Sequence, residues 1–263
     1  MNQAHGIAEH PSTVIAGQGR RRIARALPGG AFVGVAAPDG EGMRIVAELP
    51  LERGRALYRD GDVAVSPYVV LRGVLRVSVP TASGRDRLAD LAGVGDVLGT
   101  AAIDGARHAE NVVAADDAVV AIVDLPETLA RRGGRRALTT ALVRQLTRSR
   151  ALADDLGLPM GARICRILAR LAERLGDPTD PGRDEGDGDA PASDGAAGQE
   201  WRHLPFSLTH DDVALLAGCA RVTATRILGE LKEAGVLEGR RGNYALVPSA
   251  LFDAADRYVY DVL

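Results

Sequence analysis

The sequence predicts an α+β fold in which an antiparallel, β-rich half precedes a helical half that ends in a short hairpin. Three observations lead to this class. Short apolar segments alternate with glycines between residues 45 and 125. A long helical pattern follows at 135–156, and two short amphipathic patterns joined by Gly218 lie near the C-terminus. With 263 residues, the chain has room for two sizeable cores.

The β-rich unit, residues 45–127, is predicted to be an antiparallel β jelly roll or barrel. Its candidate strands are apolar or alternating segments bounded by glycine-bearing turns. They are Tyr68–Leu71, Val74–Val79, Arg87–Leu91, Val97–Leu98, Val112–Ala115 and Val119–Val123.

Residues 1–44 precede this unit and are rich in Gly, Ala and Pro. We expect a poorly ordered N-terminal extension that forms strands only in part. Its basic cluster, GRRRIAR at 19–25, is interpreted as a solvated charge run. Contact of these arginines with nucleic acid or an acidic surface is the alternative.

Residues 128–176 are predicted to be helical, with a long helix at 135–156 and a connecting helix after it. In the long helix, four leucines, one glutamine and one serine follow one another at alternating spacings of four and three residues. They are Leu138, Leu142, Gln145, Ser149, Leu152 and Leu156. This spacing is typical of a helix that pairs with a second copy of itself, and packing within one chain is the alternative.

An acidic segment at 177–200 follows. The whole chain carries a net charge of −3, whereas this segment holds eight acids and one arginine, a net charge of −7, which leaves the rest at +4. Because Pro, Gly, Asp and Ala dominate and little can be buried, we expect a disordered linker. A role in repelling DNA or screening a neighbouring basic surface stays open.

The last unit, residues 201–263, contains two short helices joined at Gly218. Thr209 is a candidate N-cap, and Asp212 stands where a capping box places an acid. Gly218 suits the left-handed position at the end of the first helix. The outward face of the second helix offers guanidinium groups for base edges and hydroxyls for phosphates. These residues are Arg221, Thr223, Thr225 and Arg226.

A basic hairpin is predicted directly after these helices, at 238–247. Its turn is placed at Gly242-Asn243, next to Arg240 and Arg241. Two helices followed by such a hairpin form a winged helix-turn-helix, which favours DNA binding. The alternative is that any two short amphipathic helices joined at a glycine would look similar, but this leaves the arginines and the hairpin unexplained.

The strings LTHDDVALLAGCARVTATRILGEL and EAGVLEGRRGNYALV resemble the C-terminal domain of the CRP/FNR superfamily of bacterial transcription regulators. The resemblance implies that the second helix enters the major groove, with Arg221 and Arg226 on guanines. Val222 departs from the catabolite activator branch, which has a cytosine-reading glutamate there, because valine offers only an apolar contact. RVTATR is closer to the cyanobacterial nitrogen-control branch, so we expect palindromic half-sites that differ from the TGTGA type.

The strings GRALYRDGDVAVSPYVVLRGVLRV and GVGDVLGT resemble the cyclic-nucleotide-binding domain of the same superfamily. Cyclic-AMP-binding members have a glycine-glutamate pair for the ribose and an arginine-serine pair for the phosphate. Here Gly99 keeps the glycine, but Thr100 replaces the glutamate, and Ala109 and Glu110 replace arginine and serine. Glu110 would repel a phosphate, and Ala109 removes its charged partner.

Two other positions bear on this degenerate effector pocket. Arg107 is predicted to lie on the same strand face as Ala109, where partial compensation for the missing arginine is an open possibility. In the long helix, Arg148 and Ser149 stand where the resemblance places a threonine-serine pair that touches the ligand, so only the serine survives. The sequence therefore predicts that cyclic AMP is not the effector, while another small effector stays possible.

Together these features predict a dimeric, sequence-specific DNA-binding transcription regulator. The resemblance implies double-stranded DNA, a second copy of the chain and RNA polymerase as partners. No enzyme activity, cofactor or metal is expected, since the five histidines are scattered and Cys165 and Cys219 are too few for an iron–sulfur cluster. Without a signal peptide or apolar span, we expect a cytoplasmic protein that contacts no membrane. The alternative is a winged-helix module that binds proteins, with a barrel that senses nothing.

Overall fold

The computed structural model describes residues 42–81, 86–179, 200–240 and 242–260, and the backbone of three strands before residue 34. The N-terminal half is made of strands. They are β1 Val14–Ile15, β2 Arg22–Ile23, β3 Arg25–Val33, β4 Met43–Leu51, β5 Ala56–Tyr58, β6 Tyr68–Arg72, β7 Leu75–Pro80, β8 Asp86–Ala92, β9 Val97–Leu98, β10 Asn111–Ala114 and β11 Ala118–Val123.

Helices dominate the rest of the described chain. In chain order the elements are α1 Leu125–Ala130, α2 Arg132–Asp154, α3 Met160–Leu175, β12 Asp177–Thr179, β13 Trp201–His203, α4 His210–Ala217, α5 Arg221–Glu233, β14 Leu237–Arg240, β15 Asn243–Leu246 and α6 Pro248–Tyr260. The α+β class is confirmed: a barrel of antiparallel strands, a long helix, and a helix-turn-helix with a following hairpin.

Two antiparallel sheets form the barrel, one in the order β5-β10-β7-β8 and the other in the order β3-β4-β11-β6-β9. Residues along β4 alternate, so that Met43, Ile45 and Leu49 are buried while Val46 and Pro50 are exposed. Side chains of a strand point alternately to its two faces, which is why this pattern closes a core on one side. The predicted strands all lie within a residue or two of the observed ones.

The barrel begins earlier than the sequence suggested. Strand β4 starts at Met43, and β3 pairs with it through contacts such as Ala31 with Ile45. Part of the predicted extension, Arg25–Val33, therefore belongs to a sheet. Similarly, Asp177–Thr179 of the predicted linker pairs with β13, and residues 180–199 lie outside the described part of the chain.

Gly73 forms the tight connection between β6 and β7. Its φ of 79° is left-handed, and an added Cβ would lie 2.5 Å from the carbonyl oxygen of Asp117. We expect Gly73→Ala to lower the free energy of unfolding by about 2–4 kcal/mol, through backbone strain and overpacking together. Gly61→Ala is the matched control, since Gly61 has a φ of 82° but nothing within 4 Å of an added Cβ. Equal losses in urea unfolding would show that the close contact costs nothing.

Helix α2 packs one face against the barrel. Leu138 is only 4% exposed and belongs to a core cluster with Ile45 and Val123. The predicted pairing of α2 with a second copy is therefore wrong at its first position, Leu138, because this side chain is already buried against the barrel of its own chain. Val143 and Leu146, at 56% and 53% exposure, are instead the open apolar residues on this helix.

The helical half and the barrel meet through arginine–aspartate contacts. Arg76 on β7 binds Asp212 on α4 through two hydrogen bonds of 2.9 and 2.8 Å. Arg174 on α3 binds Asp90 and Asp96, at 2.9 and 3.1 Å. These pairs fix α3 and α4 against β7, β8 and the turn that follows β8. No helix in the described ranges is long and apolar enough to cross a membrane.

Candidate nucleic-acid interface and barrel interior

The first helix of the pair, α4, is fixed by local capping. Thr209 accepts a hydrogen bond from the backbone amide of Asp212, and the Asp212 carboxylate accepts from the Thr209 amide at 2.9 Å. This is the reciprocal capping box that the sequence predicts. Gly218 ends the helix with a φ of 68° and ψ of 41°, the left-handed cap also predicted. Thr209 therefore lies at an exposed helix N-terminus.

Helix α5 has one buried and one open face. Ala224, Ile227 and Leu228 are at most 1% exposed and anchor it in the core. Val222 is 80% exposed, and the Arg221 and Arg226 side chains are 67% and 63% exposed. The open residues predicted to contact DNA are Arg221, Val222, Thr225 and Arg226. Thr223 was predicted on the same outward face but is only half-exposed, because it lies one turn before the buried Ile227 on the same side of the helix.

The two exposed arginines each contact an acid. Arg221 lies 3.5 Å from Asp211, and the Arg226 guanidinium donates to the carboxylate of Glu230 one turn along the helix. Exposed ion pairs contribute about 0–1 kcal/mol. The pair at Arg221 is therefore a weak competitor for a base edge or a phosphate.

His210 connects the helices with the hairpin. One of its ring nitrogens hydrogen-bonds with the Thr225 hydroxyl at 2.9 Å and the other with the Tyr244 hydroxyl at 3.0 Å. Burial lowers the pKa of His210, with smaller effects of the nearby Lys232 and Arg221 charges. The neutral ring thus links the start of α4, the open face of α5 and β15.

The hairpin consists of β14 and β15. Arg240 pairs with Asn243, so Asn243 belongs to a strand and the turn comes one residue earlier than the predicted Gly242-Asn243. The reason is a left-handed Gly242, whose φ is 90° and which packs beside Leu208. The backbone of Arg240 lies at the tip, while its side chain and Arg241 lie outside the described part of the structure.

The barrel interior contains an aromatic stack that the sequence did not reveal. The rings of Tyr58 and His108 lie 3.6 Å apart at 8°, and His108 is 4% exposed. The Tyr58 hydroxyl donates to Glu110 at 2.6 Å and accepts from the Gly99 amide at 2.9 Å. Burial raises the pKa of Tyr58, and the Glu110 carboxylate raises it further. The neutral Tyr58 hydroxyl thus bridges the Glu110 carboxylate and the Gly99 amide.

The other predicted pocket residues do not join this group. Arg107 is exposed and donates to the carbonyl of Gly61 at 2.7 Å, an arrangement that does not favour the open possibility of compensation for Ala109. The stretch 107–110 lies before β10 and outside the named strands, and in it His108 is buried while Arg107 and Ala109 are exposed. Thr100 begins a short 3-10 helix and is half-buried.

Arg148 and Ser149 lie elsewhere on α2. Arg148 binds Asp96 at 2.9 Å and lies 3.6 Å from Asp90, while Ser149 is exposed. Among the described residues, neither forms a hydrogen bond or ion pair with Gly99 or Glu110. Their place in an effector site stays a prediction.

The cysteines occupy packing positions. Cys165 is buried in the core that contains α3, and Cys219 is half-buried against the same cluster. Among the described residues, no group of three or more histidines, cysteines and carboxylates has the arrangement of a metal site.

The fold and the interface define a class of protein in which a barrel of antiparallel strands is joined by a long helix to a winged DNA-binding head. Comparison with known families agrees. The Crp-like helix-turn-helix domain family matches residues 162–251, and the cyclic nucleotide-binding domain family matches residues 48–130. The chain belongs to the CRP/FNR family of transcription regulators.

Two proteins of Synechococcus elongatus are similar to this chain in sequence. The Global nitrogen regulator of Synechococcus elongatus is 24% identical over 195 residues, which cover 71% of this chain and 79% of the relative. The Regulatory protein CysR of the same organism is 33% identical over 95 residues, 36% of this chain, and the match spans only 38% of CysR.

Solved structures share the fold. A CRP-family transcriptional regulator from Thermus thermophilus superposes with a TM-score of 0.62 at 22% identity, covering 79% of this chain and 96% of that one. FixK2 from Bradyrhizobium japonicum gives the same TM-score and coverage at 19% identity.

Proposed function

We propose that this regulator binds a palindromic DNA site as a homodimer and does so without cyclic AMP. The observation that carries the proposal is the open face of α5, where Arg221, Val222, Thr225 and Arg226 are all exposed. An exposed helix with two guanidinium forks matches the major groove, whose base edges offer paired acceptors on guanine. Thr209, Arg240 and Arg241 are proposed to contact phosphates.

Dimer formation is supported by α2. Val143 and Leu146 are open apolar residues separated by three positions on a helix of 23 residues. A second copy of α2 packed on this face would bury both of them. It would also place two recognition helices around one two-fold axis, as a palindromic site requires.

Independence from cyclic AMP is supported by the barrel interior. The Gly99 amide already donates to the Tyr58 hydroxyl, which in turn donates to the carboxylate of Glu110. A cyclic phosphate beside this carboxylate would be repelled, and none of Thr100, Arg107 and Ala109 supplies a buried positive charge. A different small effector, or none, fits this interior better.

The cellular setting follows from the proposed activity. A regulator of this kind acts in the cytoplasm, contacts RNA polymerase at its sites and catalyses no reaction. The second candidate is a winged-helix module that binds other proteins. It is favoured only by the exposed Val222, an apolar side chain that suits a protein surface as well as a thymine methyl.

Selection of binding sites from genomic fragments tests the proposal, at one fixed salt concentration, with and without cyclic AMP. We expect the same two-fold symmetric site in both conditions. Recovery only with the nucleotide would contradict the interpretation of Thr100, Ala109 and Glu110. Failure to enrich any site, together with capture of a protein partner that Val222→Asp abolishes, would favour the second candidate.

A further inference from the structure

Arg226 is held by two linked hydrogen bonds, the second of which comes from outside the recognition helix. Its NH1 donates to Oε1 of Glu230, one turn further along α5. The other carboxylate oxygen of Glu230 accepts a hydrogen bond of 2.6 Å from the Tyr258 hydroxyl on α6. Glu230 is therefore fixed at both oxygens, and one of them faces the guanidinium.

The Tyr258 ring is itself fixed by a glycine on α3. A Cβ added at Gly161 would lie 2.4 Å from Cδ1 and 2.5 Å from Cγ of the ring. The ring thus packs directly on the helix backbone, where only glycine leaves room for it. Burial, followed by the neighbouring Glu230, raises the pKa of Tyr258, so its hydroxyl stays a proton donor at neutral pH.

We propose that Glu230 and Tyr258 are positioning residues that orient the Arg226 guanidinium for a guanine base. This inference rests on the proposed function, in which Arg226 reads a base edge. A guanidinium has five N–H donors, so the one used by Glu230 leaves an edge of the fork free for the O6 and N7 atoms of guanine. An arginine already held in one direction loses less side-chain entropy on binding and tolerates fewer alternative bases.

The negative charge of Glu230 has a second consequence. A carboxylate close to the DNA backbone weakens binding to every sequence, because it opposes the phosphate charges. Glu230 therefore lowers non-specific affinity while it raises discrimination at one base. An acid that merely stabilised the helix would change specific and non-specific affinity by the same factor and would leave discrimination unchanged.

Arg221 provides the internal comparison. Its partner Asp211 lies 3.5 Å away, and the two side chains are 67% and 58% exposed. Among the described residues, Asp211 forms no hydrogen bond with a further side chain. Asp211→Asn is thus the matched control for Glu230→Gln, since each removes one negative charge beside an arginine of the same helix.

The experiment measures dissociation constants of the full-length protein for the selected duplex and for duplexes altered at each base pair. Arg226→Ala first identifies the base pair that Arg226 reads. We expect Glu230→Gln to reduce discrimination at that base pair by about 5–10-fold, within the range of a bidentate contact, while binding to non-specific DNA becomes tighter. Tyr258→Phe should act in the same direction but less strongly, and should add nothing to Glu230→Gln.

Other results would overturn the inference. Unchanged or increased discrimination with Glu230→Gln contradicts a positioning role, as does an equal effect of Asp211→Asn at the same base pair. Thermal melting of each variant separates these results from unfolding, and both substitutions nearly conserve side-chain size. If Arg226→Ala alters no base preference while the wild-type protein binds its site, Arg226 reads no base and the inference fails, although sequence-specific binding stands. If the wild-type protein selects no site, the proposed function itself fails.

Discussion

Replacing Arg221 with alanine is expected to weaken binding to the selected site by about 1–3 kcal/mol and to relax the preference at one base pair in each half-site. Arg221 is the first residue of α5, its side chain is 67% exposed, and its contact with Asp211 is weak. The lost interaction is therefore almost wholly the one made with DNA. Titrations against the selected duplex and its single-base variants measure both effects.

Arg240→Ala in the hairpin is the comparison for this prediction. A phosphate contact carries no sequence information, so its loss should weaken binding to all duplexes and reduce the salt dependence by about one counterion. Arg221→Ala should instead change the ranking of duplexes. If both variants reduce affinity equally on every sequence, Arg221 contacts a phosphate. In that case α5 does not recognise bases through Arg221, contrary to our proposal.

Local features of the DNA-binding head could be predicted from the sequence because short-range physics determines them. The capping box of Thr209 and Asp212 needs only four consecutive residues, and the left-handed Gly218 needs only its own lack of a side chain. The buried face of α5 followed from helical spacing. Apolar segments between glycine-bearing turns located β6 to β11 of the barrel in the same way, whereas β3, β4 and β5 were not among the predicted strands.

Features that depend on distant contacts could not be predicted. The heptad spacing of α2 included Leu138, but whether such a residue faces a second copy or the barrel depends on how the barrel packs. The Tyr58–His108 stack joins positions 50 residues apart in sequence. Nothing local in the stretch 107–110 marked His108 as buried or linked it to Tyr58.

Asp212 takes part both in a local contact, which the sequence predicts, and in a distant one, which it does not. Its carboxylate completes the capping box of α4, which the sequence predicts, and also binds Arg76 of the barrel, which it does not. Burial opposes ionisation of this group, but hydrogen bonds from Arg76 and Thr209 outweigh it, so the pKa of Asp212 lies below its ordinary value. A lone acid at the third position of a helix gives no signal of such a partner.

Asp212→Ala is expected to lower the free energy of unfolding at pH 7 by about 2–4 kcal/mol. About 1 kcal/mol comes from the lost cap, and the remainder from leaving Arg76, whose side chain is only 25% exposed, without its acid. Urea unfolding followed by the fluorescence of Trp201, the single tryptophan, reports on this part of the chain. Asp211→Ala is the control, because Asp211 precedes Asp212 on α4 but is 58% exposed, and its loss should cost less than about 1 kcal/mol.

The pH dependence separates the ion pair from simple packing. Because the folded pKa of Asp212 is depressed, its contribution is complete above the unfolded value of about 3.9 and is lost as the pH falls through that value towards the lower folded pKa. The stabilities of the wild-type protein and Asp212→Ala should therefore converge below about pH 4. A second test is the double variant Asp212→Ala with Arg76→Met. Its loss of unfolding free energy should be smaller than the sum of the two single losses by about 0.5–3 kcal/mol. A constant difference between pH 7 and pH 3.5, or strict additivity, would mean that the charge of Asp212 does not join α4 to the barrel.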